Sequence, residues 1–313
     1  MGVVDAALAV FGLLVYPGLI FTAVVGLLLV WEKRKLTARL QARIGPPIYQ
    51  CFVDFFKLLW KETLIPEEAN RSLFILSPIL ALTAVTLIML FIPIAGKPFL
   101  GFVGDLIVVL YLLTIPPFAA AIGGSSSANP FGGVGASREI SLLFAYELPL
   151  VLAALTVALD AGTLKLAEIV TAQQNLLYIA KYPLAAIAFF FCIMAKLSWI
   201  PFDIPEAKTE IMAGLFTEYS GVLLGIFKLA YAMLAFALPS LFIALFLPVT
   251  TGIYGVDVII HLVLCVVIIG LMSVVATVVP RYRIDQAVSF FIKVAAVLAA
   301  LDFLRAFAYF VVV

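Results

Sequence analysis

The chain has 313 residues, of which 65% are hydrophobic and 12% charged, with a formal net charge of +1. Soluble domains hold about 45–50% apolar and about 25% charged residues, so a sequence this greasy needs lipid as its solvent. The near-zero charge excludes a global field suited to nucleic acid.

A spanning helix needs about 20 mostly apolar residues, and the sequence offers about eight such runs. They predict an all-α polytopic protein with one integral membrane domain over residues 1–313. The first run, at roughly 6–31, lacks the basic start and small-residue cleavage site of a signal peptide, and is expected to be a retained helix. A basic loop over roughly 32–71 follows. Within it, Phe52, Phe55, Phe56, Leu59 and Trp60 recur at helical spacing between Asp54, Lys57 and Lys61. The pattern predicts an amphipathic interfacial helix from Tyr49 to Leu64. Such a helix either anchors the loop or walls a cavity facing a partner.

Spans at roughly 72–95 and 102–123 come next. The stretch Gly123 to Gly135 is rich in Gly and Ser and reads as a flexible surface loop. It lacks the Gly-Lys-Ser/Thr ending of a phosphate-binding loop and follows no strand. The remaining spans fall at roughly 138–160, 181–200, 217–247, 256–280 and 286–311. The sixth span is long enough to need tilt, a kink or a protruding end, with Pro239 the expected kink or terminus. No internal repeat is visible, which argues against a transporter built from inverted halves.

The first loop holds Lys33, Arg34, Lys35, Arg39, Arg43, Lys57, Lys61 and Arg71. The loop after span 5 leads to Lys208, and the loop after span 7 holds Arg281 and Arg283. The alternate loops hold only Lys97, Lys165 and Lys181. The positive-inside rule therefore puts the N-terminus outside a cell membrane and the loops after spans 1, 3, 5 and 7 in the cytoplasm. Cys51, Cys192 and Cys265 are scattered through apolar sequence and cannot supply the four ligands of an iron–sulfur cluster. His261 is the only histidine, which excludes a haem held by two histidines of this chain. No metal ligand set is expected.

Charges inside spans are costly, about 2.5–3.5 kcal/mol each near the bilayer centre, so they usually face a wet or protein-lined interior. Glu139 and Glu147 lie in span 4, about 80° apart around the helix, and could line one cavity. Lys196 lies near the end of span 5, Lys228 inside span 6, and Lys293, Asp302 and Arg305 in span 8. Asp302 and Arg305 are spaced to pair on one helix face. The densest cluster runs from Pro201 to Glu210, followed by Glu218-Tyr219-Ser220-Gly221. Two prolines stop the incoming helix, and Pro205, Glu206 and Glu210 suit the first turns of a new one. At that spacing Glu206 and Glu210 would repel, which tunes a carboxyl toward proton relay. Glu206 reads equally well as a helix cap.

Several blocks then carry a resemblance. They are Arg43-Ile44-Gly45-Pro46, the run Phe55-Phe56-Lys57-Leu58-Leu59-Trp60-Lys61-Glu62-Thr63-Leu64-Ile65-Pro66, Pro201-Phe202-Asp203-Ile204-Pro205-Glu206-Ala207, Glu218-Tyr219-Ser220-Gly221, Tyr146-Glu147 and Pro280-Arg281-Tyr282-Arg283-Ile284-Asp285-Gln286. In order and spacing the chain resembles the H subunit of respiratory complex I, a family shared with energy-converting membrane-bound nickel–iron hydrogenases and their sulfane-reducing relatives. The resemblance implies a membrane anchor beneath a peripheral redox arm. Its partners would be hydrogenase-like large and small subunits, a ferredoxin-like iron–sulfur subunit, antiporter-like membrane subunits and lipid. No cofactor is implied in this chain; iron–sulfur clusters, and a nickel–iron centre in the hydrogenases, belong to the partners. It implies that Arg43, Asp54, Lys57, Glu62, Arg281, Arg283 and Asp285 face the peripheral subunits. Glu139, Glu147, Asp203, Glu206, Glu210 and Glu218 would line a polar path, tuned by Lys196, Lys208 and Lys228.

The departures choose a branch. Quinone-reducing members usually carry Glu-x-Asn-Arg before Pro-Phe-Asp, where this chain has Ala195-Lys196-Leu197-Ser198-Trp199-Ile200. Lys208 stands where complex I usually has Glu, and Gly45-Pro46 is followed by Pro47-Ile48-Tyr49-Gln50 rather than Asn-Arg-Val-Gly. These changes favour the ferredoxin-linked hydrogenase or sulfane reductase type. The alternatives are the quinone-site protein of complex I, or a docking scaffold that conducts no ions.

Overall fold

The structure is a computed structural model that describes residues 10–174, 176–207 and 210–312. The described residues are almost wholly helical: α1 (Leu19–Leu40), α2 (Gln50–Trp60), α3 (Arg71–Phe91), α4 (Asp105–Ser126), α5 (Pro130–Ala161), α6 (Leu166–Ala172), α7 (Tyr178–Lys181), α8 (Pro183–Lys196), α9 (Gly221–Phe246), α10 (Tyr254–Val278), α11 (Ile284–Phe290) and α12 (Ala296–Val312). A π-helical turn, Phe291–Ala295, joins α11 to α12, so the two form one continuous rod.

Seven helical stretches among the described residues are long and apolar enough to cross a membrane: Val10–Leu40, α3, α4, α5, α9, α10 and Ile284–Phe310. The expected fifth span is the exception. Its helix α8 has 14 residues, a length of about 21 Å against about 30 Å of hydrocarbon. Pro183 starts it, and Ser198 in a left-handed conformation closes it. Half-helices of this kind are tolerated where protein rather than lipid surrounds the freed backbone. Here the α8 start is met by Asp302, whose carboxylate accepts from the Ala185 amide at 2.9 Å, while Arg305 pairs with Asp302 at 3.5 Å. Lys181 and the Tyr182 hydroxyl meet Asp160 nearby, at 2.6 and 2.8 Å.

The most enclosed helix is α9, with 89% of its apolar window buried against 33% for α10 and 28% for Ile284–Phe310. It continues through Pro239 to Phe246, so the proline is neither terminus nor break. Around it, α1 packs on α9 and α10, α3 on α4 and α9, and α5 on α12 and α8. The stretch Gly123–Gly135 is not a flexible loop: α4 runs to Ser126 and α5 starts at Pro130. Small residues are there for contact. A Cβ on Gly132 would stand 2.5 Å from the Gly124 carbonyl oxygen, and one on Gly135 would stand 2.9 Å from the Leu215 amide. Close backbone approach at small residues is how helices pack without a hydrophobic drive in lipid.

The helix expected from Pro205 does not form. Described residues of 203–213 wind through turns to a 3-10 turn at Gly214–Phe216. The cause is a fold-back: Gly214, at φ +52°, lies so close to Pro205 that a Cβ would be 1.9 Å from its carbonyl oxygen. Gly214→Ala should cost about 1–3 kcal/mol in backbone strain alone, before the clash is counted. A thermal melt of the purified protein should show the loss, and an unchanged transition would contradict this account of the turn.

Candidate functional site

Two segments meet at the end of the bundle that carries the basic loops. The first is α2, the interfacial helix, shorter than the sequence pattern suggested. Its Phe52 and Phe55 pack on the core, while Phe56 and Trp60 are exposed, Trp60 at 90%. The second is the irregular segment 197–220. Phe202 is fully buried among Tyr282, Phe290 and Phe291, with ring centroids 4.7–5.7 Å apart. The Tyr282 amide donates to the Pro201 carbonyl at 3.0 Å. These contacts bring the Pro-Phe-Asp and Arg-Tyr-Arg blocks together in space.

The Glu-Tyr-Ser-Gly block is a clasp at the other end of this segment. Tyr219 stacks on Phe74 at 4.0 Å and donates its hydroxyl to the Phe74 carbonyl at 3.0 Å. Burial pushes that phenol up to about 12, against hydrogen bonds from Ser77 and Ser126 that work the other way. The Leu64 amide donates to Ser220 Oγ at 2.9 Å. Gly221, at φ +55°, meets the chain at Lys61–Thr63, where a Cβ would lie 2.5–2.7 Å from three oxygens.

Between α1, α2, α9 and residues 197–206 lies a cavity of about 400 Å³. Lys33, Asp54, Asp203, Glu206, Lys228 and Tyr231 supply much of its polar lining, and Leu27, Phe55 and Phe227 part of the apolar wall. Lys33 Nζ sits 3.8 Å from the centre of the Trp199 ring, a cation–π contact. Arg34 pairs with Asp54 at 3.0 Å, and Gln50 donates to the other oxygen at 2.8 Å. Burial works to raise the Asp54 carboxyl, yet the Arg34 and Gln50 donors, with the positive charges of Arg34 and nearby Lys228, hold it below its ordinary value.

A second hollow of about 230 Å³ opens beside the first, walled by Arg138, Asp203, Glu210, Arg281, Arg283 and Asp285, among others. Arg281 pairs with Asp203 at 2.9 Å and Arg138 with Glu210 at 2.7 Å. Asp203 thus borders both spaces.

Deeper in the bundle, Glu139 is fully buried, and neither of its carboxyl oxygens has a hydrogen-bond partner among the described residues. The hydroxyls of Tyr146 and Tyr231 share that condition. Glu139 lies within electrostatic reach of Glu206 on the cavity side and of Lys196 on the other. Lys196 is wholly buried and pairs with Glu147 at 3.0 Å. Buried carboxyl and phenol groups without protein partners are normally satisfied by internal water. The polar groups therefore form a broken series: cavity, Glu206, Glu139 with the two tyrosines, then Lys196 and Glu147.

The other expected path residues stand apart from this series. Glu210 is more than half exposed at the mouth with Arg138. Glu218 bonds the Asn129 side chain, which also caps α5 by accepting from the Phe131 amide. Lys228 is exposed at the cavity rim, Lys293 is exposed on the π-helical turn, and Lys208 lies outside the described residues. Of the residues expected to face partners, Arg43, Lys57, Glu62, Arg281, Arg283 and Asp285 are exposed, whereas Asp54 is half-buried in its pair with Arg34. Sequence reading missed Arg138 and Lys33 as site residues, and gave the Tyr146 and Tyr231 hydroxyls no role. Adjacency to Glu139 was the one available signal for Arg138. Among the described residues, no group of three or more His, Cys, Asp or Glu is placed to hold a metal ion.

Known proteins fit this geometry. A family model described as NADH dehydrogenase matches residues 13–306. The H subunit of NADH-quinone oxidoreductase from Geobacillus thermodenitrificans is 35% identical over 278 residues, covering 85% of this chain and 83% of that protein. Its counterpart from Bacillus thuringiensis is 34% identical over 226 residues, covering 70% and 68%. Among solved structures, a chain of the membrane-bound sulfane sulfur reductase, an archaeal respiratory membrane complex, matches with a TM-score of 0.88 at 33% identity, covering 96% of this chain and 99% of that one. The chain belongs to the NADH dehydrogenase family typified by the H subunit of complex I.

Proposed function

We propose that this chain is the membrane anchor and coupling subunit of a multisubunit redox-driven ion pump, carrying a glutamate-lined path rather than a redox centre. The observation that carries this reading is Glu139: a wholly buried carboxyl, unpartnered among the described residues, lying in reach of both Glu206 at the cavity and Lys196 in the interior. A carboxyl in that position is a proton-exchange site linking a surface-connected space to a buried ion pair. A redox change in a partner docked at the Arg281, Arg283 and Asp285 face alters the field at Asp203 and Glu206. Glu139 and the Lys196–Glu147 pair respond by moving a proton or a charge.

The basic-loop end faces the cytoplasm in this reading, with the N-terminus outside. The partners are peripheral hydrogenase-like large and small subunits, a ferredoxin-like iron–sulfur subunit and antiporter-like membrane subunits. We assign the chain to the ferredoxin-linked branch. The missing Glu-x-Asn-Arg pattern supports this, as does the near-complete overlap with the sulfane sulfur reductase chain. A quinone-site role is the second reading. It is favoured by the cavity of about 400 Å³, large enough for a ring headgroup and open between α1, α2 and α9.

Glu139→Gln should leave the native assembly intact and able to transfer electrons but lower ion pumping in proteoliposomes by about 100-fold; Glu147→Gln should lower pumping equally, with a lower melting transition because it leaves Lys196 buried without its charge partner. Full pumping in both variants would end the relay reading, and loss of assembly would favour the docking scaffold. Lys196→Ala leaves Glu147, 20% exposed, without its charge partner, so it should destabilise the protein, read as a lower melting transition. Chemical analysis of the purified assembly decides the branch: nickel means hydrogenase, bound quinone means complex I, and neither means the sulfane reductase type. Cysteines placed at Lys57 and Lys97 should label from opposite sides of the membrane, Lys57 from the cytoplasmic one.

A further inference from the structure

Among the charges inside the spans, Lys293 stands apart. Lys196 pairs with Glu147, Asp302 holds the Ala185 amide and Arg305, Glu139 is enclosed, and Lys228 borders the larger cavity. Lys293 is exposed on the flank of the α11–α12 rod, and its ammonium has no ion pair or hydrogen bond among the described residues. Its own helix supplies no acid nearby. The positions four residues away are Ser289 and Val297, and the acids closest in sequence, Asp285 and Asp302, are eight and nine residues off. Asp302 is moreover buried and already engaged.

The rod Ile284–Phe310 has 27 residues, a length of about 40 Å against about 30 Å of hydrocarbon. With both ends projecting equally, Lys293 sits about 8 Å below the boundary at the basic-loop end. A charge at that depth is costly unless an opposite charge, water or a headgroup meets it. Beyond Lys293, the residues Val297, Leu301, Leu304 and Ala308 follow at helical spacing on the same side, and all four are exposed. The stripe is about 22 Å long, enough for a second helix to lie along it. Lys293 itself belongs to the π-helical turn, whose ends Phe291 and Ala295 are buried while Ile292, Lys293 and Val294 are exposed. Such turns are rare and appear mostly at functional sites. The apolar window of the rod is 28% buried within this chain, so most of its packing surface is left for a neighbour.

We propose that this stripe is a docking face for a membrane-spanning helix of a neighbouring subunit, in which an Asp or Glu pairs with Lys293 while apolar side chains pack along Val297, Leu301 and Leu304. Charge complementarity selects the occupant. An ammonium group held within hydrocarbon takes a carboxylate at the same depth, and each charge makes the other tolerable there. A second copy of this chain in the same orientation would instead bring lysine against lysine. A lipid phosphate is the competing anion, because a lysine stem can snorkel toward the headgroups. The deeper part of the stripe separates the two cases. Leu301 and Leu304 lie beyond headgroup reach, and they touch acyl chains in the lipid case but a protein helix in this one. The docking face rests on the multisubunit assembly proposed above and names one place where a membrane neighbour attaches.

The test uses the native assembly in its membrane. A benzophenone amino acid at Leu301 should photocrosslink this chain to one other membrane subunit, and mass spectrometry should map the adduct to an apolar span that contains an Asp or Glu. Lys293→Met removes the charge and keeps a long apolar side chain. It should lose that subunit on washing in mild detergent, whereas Lys293→Arg should retain it. Because the Lys293 ammonium bonds no group of its own chain among the described residues, such a loss reports on the neighbour rather than on a broken internal bond. An adduct with lipid alone, or with a span that has no acid, overturns the docking face, and full retention in Lys293→Met overturns the ion pair. Where one variant fails to assemble, the other measurement decides. Glu139→Gln run in parallel separates the two ideas: its uncoupling together with a lipid-only adduct rejects only the docking face, whereas parental pumping with the subunit adduct present rejects the glutamate path and leaves the face standing.

Discussion

Backbone that is not helical survives at membrane depth only where its polar groups find partners other than lipid. That constraint organises the molecule around residues 197–220. Its described residues are irregular and partly exposed at the mouth, yet they pack on α4 and α5 through the turn at Gly214–Phe216 and on α1 through Trp199. Phe202 fixes one end in an aromatic nest, and the Tyr219–Gly221 clasp fixes the other to α3 and to the stretch of chain after α2. Between these anchors the chain presents Asp203 and Glu206 to the larger cavity and Asp203 and Glu210 to the smaller one. Residues Leu224–Ala232 of α9 wall the larger cavity, and α5 contributes Arg138 to the smaller one.

Burying Lys196 with Glu147 needs the same explanation. A buried ion pair rarely repays its desolvation, so it is weak evidence for stability. Lys196 is wholly buried while Glu147 keeps 20% of its side chain exposed, and in the proposed coupling role the pair beside the unpartnered Glu139 is a responsive element rather than a rivet. In the proposed coupling role, charge arriving near Glu206 would act on Glu139 through low-dielectric protein, where electrostatic effects are strong.

Much of this could be read from the sequence. Long apolar runs declared seven of the spans by length and composition, whereas the run at roughly 181–200 holds the 14-residue α8. The Pro-Phe-Asp, Glu-Tyr-Ser-Gly and Arg-Tyr-Arg blocks marked the converging segments. What failed has a physical reason in each case. Gly123–Gly135 looked flexible because glycine signals freedom in a loop, but between helices it signals proximity. Pro205 looked like a helix start because local rules favour one. A contact nine residues away, Gly214 on the Pro205 carbonyl, overrides them. Glu210 and Glu218 were expected to line the polar path, yet Arg138 and Asn129 reach them from another helix and its cap. Pairings of that range are invisible to a reading along the chain.

The stacked Tyr219–Phe74 pair has a mechanical consequence. Because the phenol both stacks on and hydrogen-bonds to the first turn of α3, the irregular segment is tethered to a spanning rod. With Phe202 pinned at the opposite end, slack is confined to the turns between the two aromatic anchors. A shift of those turns must either stay within that short arc or be transmitted as a push on α3, which packs against α4. The clasp thus works as a stop that limits travel and as a lever that converts excess travel into helix displacement.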